Sequence, residues 1–490
     1  MFPPEKPQFD RSPVDDAIVS RKTQRLLLYG GIIFFSLLHL YYLNAPPNGY
    51  HAWRESDTAA VTLNYYQEDY NFFHPRINQR GAENGITGME LPLINYTAAS
   101  LYKLLGPHHA VARGLTVLSA IFTLVLVYKL TCLYADQLTA TFAVWATAFS
   151  PLFLFYSFKI MPDVPMLMFL VAGFYYFLKF IRSERFLFLC FSALCLIVSG
   201  AIKPLGLSLF LPMACLFWAK WHFAPRKLLL FGGYVAAVFL SVLGWFLYAR
   251  SVNLEHHSVG FSLGEKLIDF PGNLFDAMFY RQLVLQWPAE LWVGFALVPA
   301  FIWGLVTIWT SGLRGLLPAW LLSAYIVFVL TFHYFSGHDY YTLIIVPPLA
   351  VVSGFGIVHL LRRAGWRRRL AVVLIAVAPV AACVRIAHRF GATSDFDAIR
   401  QASELQIPRD ALVAVEDNTS AVRLYQMNRH GWPLRDGVTA ERVLVCRELG
   451  ARYLVLARPA EEYPDRLAGI EPVSKFRLGP LYAYELGEKR

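Results

Sequence analysis

Residues 51–60 read HAWRESDTAA and directly follow the first long apolar run of the chain. This stretch brings two carboxylates, Glu55 and Asp57, together with the guanidinium of Arg54. Charged side chains so close to the end of an apolar run belong either to a solvated loop or to a functional site at a membrane surface. The remainder of the sequence distinguishes these two interpretations.

The composition is that of a membrane protein. Of the 490 residues, 56% are hydrophobic and only 16% are charged, whereas soluble proteins usually contain about a quarter of charged residues. The net charge of +10 could suggest nucleic acid as a partner. In a membrane protein, however, a basic excess more often marks cytoplasmic loops. We therefore predict contact with membrane lipids and no nucleic-acid partner.

Apolar segments of spanning length recur along the chain and predict an α-helical polytopic membrane protein. We place eleven spans at about 25–44, 110–132, 138–158, 165–181, 186–201, 205–221, 228–249, 290–310, 317–334, 341–361 and 369–390.

Lysine and arginine residues in the connections predict the orientation. The first twenty or so residues are polar and do not resemble a cleavable signal peptide, so we place the N-terminus in the cytoplasm. The connections at 179–185, 220–227 and 362–369 are then cytoplasmic, and they are rich in basic residues. The short outer connections are nearly free of them, apart from Lys159 and Lys203. An odd number of spans places the tail on the outer face.

We divide the chain into a membrane domain, residues 1–390, and a small soluble α/β domain, residues 391–490. The membrane domain has two long outer loops, 45–109 and 250–289, and loops of that length usually have a function. In the soluble domain, strands are predicted at 412–415 and 453–456 and helices at 396–405 and 439–449. Its sequence contains no nucleotide-binding or metal-finger motif. We therefore expect it to cover or dock rather than to catalyse.

Ionisable residues collect at the predicted outer face. Five stretches in four separate connections contribute the following groups: Glu55 and Asp57, then Glu90 in the same loop, Asp163, Lys203, and finally His338, Asp339 and Tyr340. Such groups are costly beside hydrocarbon and usually face a cavity or a partner. Their collection at one face favours a site over scattered loop charges.

Each of these residues also has a purely structural interpretation. Asp57 suits the first turn of a surface helix predicted at 55–68, because an acidic side chain there complements the helix dipole. Glu55 can cap that helix or pair with Arg54. Glu90 can be a solvated charge and Asp163 a turn residue between two prolines. Lys203 can reach lipid phosphate, and Tyr340 can belong to the interfacial aromatic belt.

The motifs around these residues occur in a fixed order: WRESDTAA at 53–60, NFFHP at 71–75, GMELP at 88–92, MPD at 161–163 and KP at 203–204. In this order they resemble the bacterial membrane glycosyltransferases of family 39, which belong to the C-type glycosyltransferase superfamily. That family includes the protein O-mannosyltransferases and the lipid A aminoarabinose transferase. The resemblance covers about residues 25–390.

The resemblance implies an inverting sugar transfer at the periplasmic face of a bacterial inner membrane. The donor would be a polyprenyl (undecaprenyl) phosphate sugar, and the acceptor a hydroxyl of a lipid, glycan or protein of the cell envelope. Asp57 matches the catalytic aspartate of the first outer loop, and Asp163 matches an acidic residue after the third span. The resemblance therefore implies that Asp57 is the general base. The family's Asp-Glu pair appears here as Glu55-Ser56-Asp57, so Glu55 is the alternative base.

Glu90 matches the glutamate of a Glu-Lys-Pro-Pro element, which reads Glu90-Leu91-Pro92-Leu93 here and therefore lacks the lysine. Arg54 and Lys203 can supply that charge and hold the donor phosphate, since cations stabilise a phosphate leaving group. The acceptor hydroxyl is a poor nucleophile and needs a carboxylate base. Glu90, His338, Asp339 and Tyr340 would then orient the sugar or the acceptor, as would Asp163, which we also place in the catalytic set.

A divalent metal cation is a possible cofactor, because some relatives place one among outer-loop carboxylates and histidines. Glu90, Asp163 and His338 or His256 have suitable ligand atoms. Their spacing forms no local metal-binding motif.

Two other functions are compatible with a polytopic chain. A transporter or flippase of a lipid-linked saccharide would have charges near the midplane and repeated halves, neither of which the sequence displays. A structural or sensor protein would act through its tail, which carries no recognisable site.

Overall fold

The polypeptide is helical up to Ala387 and continues into a small mixed sheet. The computed structural model describes residues 19–487 except 223, 259–274, 309–314, 336, 393–394, 420–421, 436 and 464–466. Part of the outer loop predicted at 250–289 lies outside the described residues, as do residues 1–18.

The helical part contains α1 (Arg21–Leu40), α2 (Ala52–Gln67), α3 (Leu93–Leu105), α4 (His109–Thr131), α5 (Gln137–Ala148), α6 (Pro151–Ser157), α7 (Asp163–Ser183), α8 (Phe186–Ile202), α9 (Phe210–Trp221), α10 (Pro225–Glu255), α11 (Ala277–Trp292, mostly π-helical), α12 (Val298–Ile308), α13 (Leu316–Phe335), α14 (Val346–Leu361) and α15 (Trp366–Ala387). Short 3₁₀ segments lie at Pro204–Leu207, Phe295–Leu297 and Asp339–Ile345.

Seven described helices are long and apolar enough to cross a membrane, and two bent pairs bring the number to nine. The pairs are α5 with α6, bent by 63°, and α11 with Phe295–Ile308, bent by 97°. The shorter apolar helices α8 and α13 coincide with the two remaining predicted segments. The prediction of a helical multi-pass membrane protein is confirmed, while the count of eleven spans stays a prediction.

The break between α6 and α7 brings polar residues to one end of the bundle. Ser150 accepts a hydrogen bond from the Phe153 N–H, and Pro151 occupies the first turn of α6, a position that suits proline because its missing N–H would be unpaired there. The chain leaves α6 after Ser157 and starts α7 at Asp163. The five residues between them include Lys159, which is fully buried.

The predicted first outer loop is largely folded, and its helix α2 is mostly buried. Helix α2 starts at Ala52, three residues before the predicted start, and ten of its sixteen residues are buried. Its small residues Ala59 and Ala60 share an apolar core with Ala98 of α3 and with Tyr425 of the tail. The prediction of a surface helix is therefore wrong, because the tail covers the face that would otherwise meet solvent.

The tail is a five-stranded mixed sheet with three helices. It contains α16 (Asp395–Gln406), β1 (Leu412–Val415), α17 (Val422–Met427), β2 (His430–Pro433), α18 (Ala440–Glu448), β3 (Ala451–Leu456), β4 (Pro472–Leu478) and β5 (Leu481–Leu486).

The strand order is β2-β1-β3-β5-β4, with β1 parallel to β2 and β3, and β5 antiparallel to β3 and β4. Separate apolar clusters pack on the two faces of this sheet. The predicted α/β fold is confirmed, and the two predicted strands coincide with β1 and β3. Strand β2 was not predicted because its sequence HGWP contains glycine and proline, which are rare in strands.

Candidate active site

A sharp turn at His51 starts helix α2. His51 has a φ of +59°, which is unusual for a residue with a side chain. Its ring lies 4.1 Å from that of Tyr50 and 5.0 Å from that of Tyr340, measured between centroids. Its Nε2 lies 3.6 Å from a carboxylate oxygen of Asp339. These contacts fix the direction in which α2 leaves the membrane domain.

The two candidate acids of α2 point in different directions. Successive helical positions are about 100° apart, so Glu55 and Asp57 project from nearly opposite sides of the helix. Arg54 and Asp57, three positions apart, share a side. Glu55 is fully buried, whereas the Asp57 side chain retains 18% of its exposure.

Glu55 is held between two buried cations. One oxygen lies 2.7 Å from Arg113 Nη1 and accepts the Ile160 N–H at 3.1 Å, and the other lies 3.1 Å from Lys159 Nζ. Burial on its own raises the pKa of Glu55, but the charges of Arg113 and Lys159 outweigh it and lower the pKa below its ordinary value. The predicted pairing of Glu55 with Arg54 is wrong, because the carboxylate turns inward.

Arg54 instead connects Asp57 with Glu90. Its Nη1 donates to Asp57 Oδ2 at 3.0 Å, and its Nη2 forms an ion pair with Glu90. Burial raises the pKa of Asp57 above its ordinary value, although the neighbouring Arg54 opposes the rise. The site therefore holds a partly accessible carboxylate with an increased affinity for a proton.

Helix α10 holds the segment that carries Glu90. The Asn253 side chain accepts the Gly88 N–H at 2.7 Å and donates to the Gly88 carbonyl at 2.9 Å, and the Trp245 indole donates to the Met89 carbonyl at 3.1 Å. A Cβ on Gly88 would lie 1.7 Å from the Ala249 carbonyl oxygen. Only glycine permits this close approach of two backbones.

A second pair, Lys203 with Asp163, faces the same cluster. Lys203 Nζ donates to Asp163 Oδ1 at 2.6 Å and lies 4.6 Å and 4.5 Å from the ring centroids of Tyr340 and Tyr341. Burial lowers the pKa of Lys203 to about 8, although Asp163 opposes the decrease. Asp163 Oδ2 is buried and accepts no hydrogen bond from the described residues.

Asp339 belongs to a buried network behind His51. It accepts hydrogen bonds from Arg389 Nη1 at 2.8 Å and from the Tyr156 hydroxyl, and it is only 2% exposed. The ring of His338 lies 5.7 Å from both His51 and Trp53, and burial lowers its pKa to about 4. Asp339 is therefore a buried partner of His51 at the start of α2. The ring of His338 packs beside His51 and Trp53.

The structure thus brings the predicted residues of four connections to one end of the bundle. Sequence reasoning missed Arg113, Lys159 and Arg389 as parts of this cluster. The sequence does indicate that Arg113 and Lys159 have acidic partners, since a cation in or beside an apolar segment requires a counter-ion. Nothing in the sequence indicated that this counter-ion is Glu55.

The suggested metal ligands do not form a metal site. Glu90 pairs with Arg54, and Asp163 pairs with Lys203. Across the described part of the chain, no three histidine, cysteine, aspartate or glutamate side chains are grouped so as to hold an ion. The carboxylates of this cluster have cationic side chains as partners.

Comparisons with known proteins give a family match and a shared fold. The sequence profile of the dolichyl-phosphate-mannose-protein mannosyltransferase family matches residues 90–245. A search of curated proteins finds no match.

Among solved structures, ArnT from Cupriavidus metallidurans in the apo state is similar over 93% of this chain and 98% of its own, with 13% identity and a TM-score of 0.64. The same protein bound to undecaprenyl phosphate gives a TM-score of 0.62. The arabinofuranosyltransferase AftD from Mycobacteria is similar over 95% of this chain and 42% of its own, with 14% identity and a TM-score of 0.57.

The archaeal oligosaccharyltransferase AglB from Archaeoglobus fulgidus, in complex with an inhibitory peptide and a dolichol-phosphate, is similar over 88% of this chain and 69% of its own, with 12% identity and a TM-score of 0.54. At such identities the likeness describes the fold and not the activity. The chain has the C-type glycosyltransferase fold.

Proposed function

We propose that this protein transfers a sugar from a polyprenyl-phosphate donor to an acceptor hydroxyl at the periplasmic face of a bacterial inner membrane. The proposal depends chiefly on one observation. Two cations, Arg54 and Lys203, lie in the same cluster as a partly exposed carboxylate, Asp57. That set matches what the reaction needs, namely a base for the acceptor and positive charge for a phosphate leaving group.

Asp57 is the better base of the two candidates. Glu55 is fully buried and neutralises Arg113 and Lys159, so a substrate hydroxyl has no access to it. Asp57 is partly exposed, and its pKa is raised, which makes the carboxylate a stronger proton acceptor. We assign the base to Asp57 and a positioning role to Glu55.

The reaction is a single displacement. The acceptor oxygen attacks the anomeric carbon of the sugar and transfers its proton to Asp57 as the new bond forms. The bond between that carbon and the phosphate oxygen breaks, and the lipid phosphate leaves with the electron pair. Arg54 and Lys203 stabilise the charge on the departing phosphate, which requires them to exchange carboxylate contacts for phosphate contacts.

The remaining polar groups bind the sugar or the acceptor. Asp163 Oδ2 is buried without a hydrogen-bond donor among the described residues, so a substrate hydroxyl can supply one. Glu90, His338 and Tyr340 lie around the same cluster. Asp339 acts indirectly, because Arg389 and Tyr156 already occupy its oxygens.

Binding of undecaprenyl phosphate tests the lipid part of the proposal without knowledge of the sugar. The structure of ArnT bound to undecaprenyl phosphate motivates this choice of ligand. Arg54→Gln and Lys203→Gln should each raise the dissociation constant about tenfold or more, since each removes a charge-assisted contact to phosphate. Lys129→Gln is the matched control, because Lys129 is exposed near the C-terminal end of α4. Unchanged binding in both site variants would contradict the assignment.

A flip assay in liposomes separates the transferase from a flippase. Without an acceptor, a transferase leaves undecaprenyl-phosphate sugars intact and in their original leaflet. A flippase moves the intact lipid across the bilayer without breaking the glycosidic bond. Movement without an acceptor would favour the flippase.

A further inference from the structure

Four aromatic side chains form a continuous row beside the proposed base, and we call them the aromatic row. The ring centroids of Trp53 and His338 lie 5.7 Å apart, those of His338 and Tyr340 5.5 Å, and those of Tyr340 and Tyr341 4.6 Å. Aromatic rings at such separations pack against each other. Trp53 belongs to α2, whereas the other three residues lie just before α14. The row therefore connects two elements that are distant in sequence.

The two ends of the aromatic row lie at groups that the reaction uses. At one end, Trp53 precedes Asp57 by four positions, so the two side chains share one side of α2. At the other end, Lys203 Nζ lies 4.5 Å from the ring centroid of Tyr341 and 4.6 Å from that of Tyr340. The row therefore extends from the proposed base to a cation assigned to the donor phosphate.

Access to the aromatic row differs along its length. Tyr340 and Tyr341 are 1% and 9% exposed, whereas Trp53 and His338 are partly exposed. The buried His51 packs against the row, with its ring centroid 5.0 Å from that of Tyr340 and 5.7 Å from that of His338. The row is thus held from within the protein, and Trp53 and His338 form its accessible surface.

The direction of the proposed displacement places the donor sugar against this surface. An inverting transfer requires attack from the face of the sugar opposite the leaving group. With the acceptor oxygen at Asp57 and the phosphate at Lys203, the line of attack runs beside the aromatic row. The sugar ring projects sideways from that line and can lie against Trp53. Its hydroxyls need polar partners, and Asp163 Oδ2 is buried at the Lys203 end without a donor among the described residues.

We propose that the aromatic row binds the donor sugar by stacking, that Trp53 is its specificity-determining residue, and that the sugar is a pyranose. A pyranose chair presents several C–H groups on one face, and these groups pack on the flat face of an aromatic ring. A furanose ring is smaller and presents fewer of them. The inference rests on the proposed function, because that function supplies the sugar donor and the line of attack.

Binding of paired lipids to the full-length protein tests this inference. The reference lipid is undecaprenyl methyl phosphate, a phosphodiester without a sugar. The test lipids are undecaprenyl-phosphate glucose, mannose, galactose and arabinopyranose, which have the same charge as the reference. The wild type should bind at least one of them about fivefold or more tightly than the reference. Undecaprenyl-phosphate arabinofuranose should bind more weakly than the preferred pyranosyl lipid.

Variants of Trp53 assign this gain in affinity to stacking. In Trp53→Leu, which keeps an apolar side chain, most of the gain should disappear, while the affinity for the reference lipid stays at the wild-type level. Trp53→Phe keeps an aromatic ring and should retain most of the gain. Trp366→Leu is the matched control, because Trp366 is an exposed tryptophan at the start of α15, and it should bind both lipids like the wild type.

Several results would overturn the inference. They are a wild type that gains nothing from any pyranose, an undiminished gain in Trp53→Leu, and an equal loss of affinity for the sugar-bearing and reference lipids in that variant. A furanosyl lipid bound as tightly as the preferred pyranosyl lipid would overturn the pyranose assignment. Each of these results leaves the lipid part of the proposed function standing, which fails only if the wild type does not bind undecaprenyl phosphate.

Discussion

Two acids two positions apart on α2 have different surroundings. Glu55 faces inward and neutralises Arg113 and Lys159, whereas Asp57 faces the polar cluster. We predict that Glu55→Gln destabilises the protein by about 3–5 kcal/mol, because it leaves two buried cations without their counter-ion. Thermal unfolding in detergent measures the change. Glu83→Gln, at an exposed glutamate of the same outer loop, is the control and should unfold like the wild type. Equal stability of the two variants would contradict the buried triad.

Lys203 should impose an alkaline limit on activity. Its folded pKa of about 8 means that its positive charge is present below that pH and is lost as the pH rises through it. In the free enzyme, kcat/KM should therefore fall about tenfold per pH unit above this value. Bound phosphate favours the protonated amine, so kcat should fall only at higher pH.

Lys203→Arg separates this group from other titrating groups, because a guanidinium stays protonated throughout the range. The alkaline fall of kcat/KM should disappear in this variant. A fall at the same pH in Lys203→Arg would assign it to another group. Steady-state rates between pH 6 and 10 measure both profiles.

For single residues, the sequence predicts where the charged side chains gather but not which of them pair. It predicted that Glu55, Asp57, Glu90, Asp163 and Lys203 gather at one face, because charges at the ends of apolar segments need partners. It could not assign the partners, since Glu55 meets Lys159 across about a hundred residues of chain. Helical geometry alone separates Glu55 from Asp57, but which side faces inward depends on tertiary packing.

Among the structural elements, α10 determines where Glu90 lies. We predict that Asn253→Ala lowers the transfer rate about tenfold or more, because it removes the side chain that holds Gly88 and allows Glu90 to move away from Arg54. Among the described residues, the Asn253 side chain hydrogen-bonds to Thr87 and Gly88, neither of which belongs to the proposed catalytic set. Ser241→Ala, at an exposed residue of the same helix, should keep the wild-type rate. An unchanged rate in Asn253→Ala would show that this anchor is dispensable.

The predictability of an element depended on its periodicity. Long apolar runs predict the membrane helices. The sequence does not predict the short strand β2, because it contains Gly431 and Pro433 and these residue types are rare in strands. The extension of α10 to Glu255 was also missed, since Arg250, Ser251 and Asn253 interrupt the apolar run. Both elements matter for the site, because β2 docks on the outer loop and α10 holds Glu90.

For the molecule as a whole, the predicted topology places the tail and Asp57 on one side of the membrane. Cysteines introduced at exposed positions of a cysteine-free protein test it. Asp410→Cys in the tail should react with a membrane-impermeant maleimide in intact spheroplasts. Arg363→Cys, after α14, should react only after lysis. The reverse pattern would contradict the orientation inferred from the basic loops.

The most direct test compares Asp57→Asn with the wild type in transfer of sugar from a purified undecaprenyl-phosphate donor. Asparagine has the same shape as aspartate but cannot accept the proton of the acceptor. We predict a loss of about 10²-fold or more in the single-turnover rate, with normal expression and unimpaired binding of undecaprenyl phosphate. Asp69→Asn, at an aspartate just beyond α2, should retain the wild-type rate. A wild-type rate in Asp57→Asn would contradict the proposed mechanism.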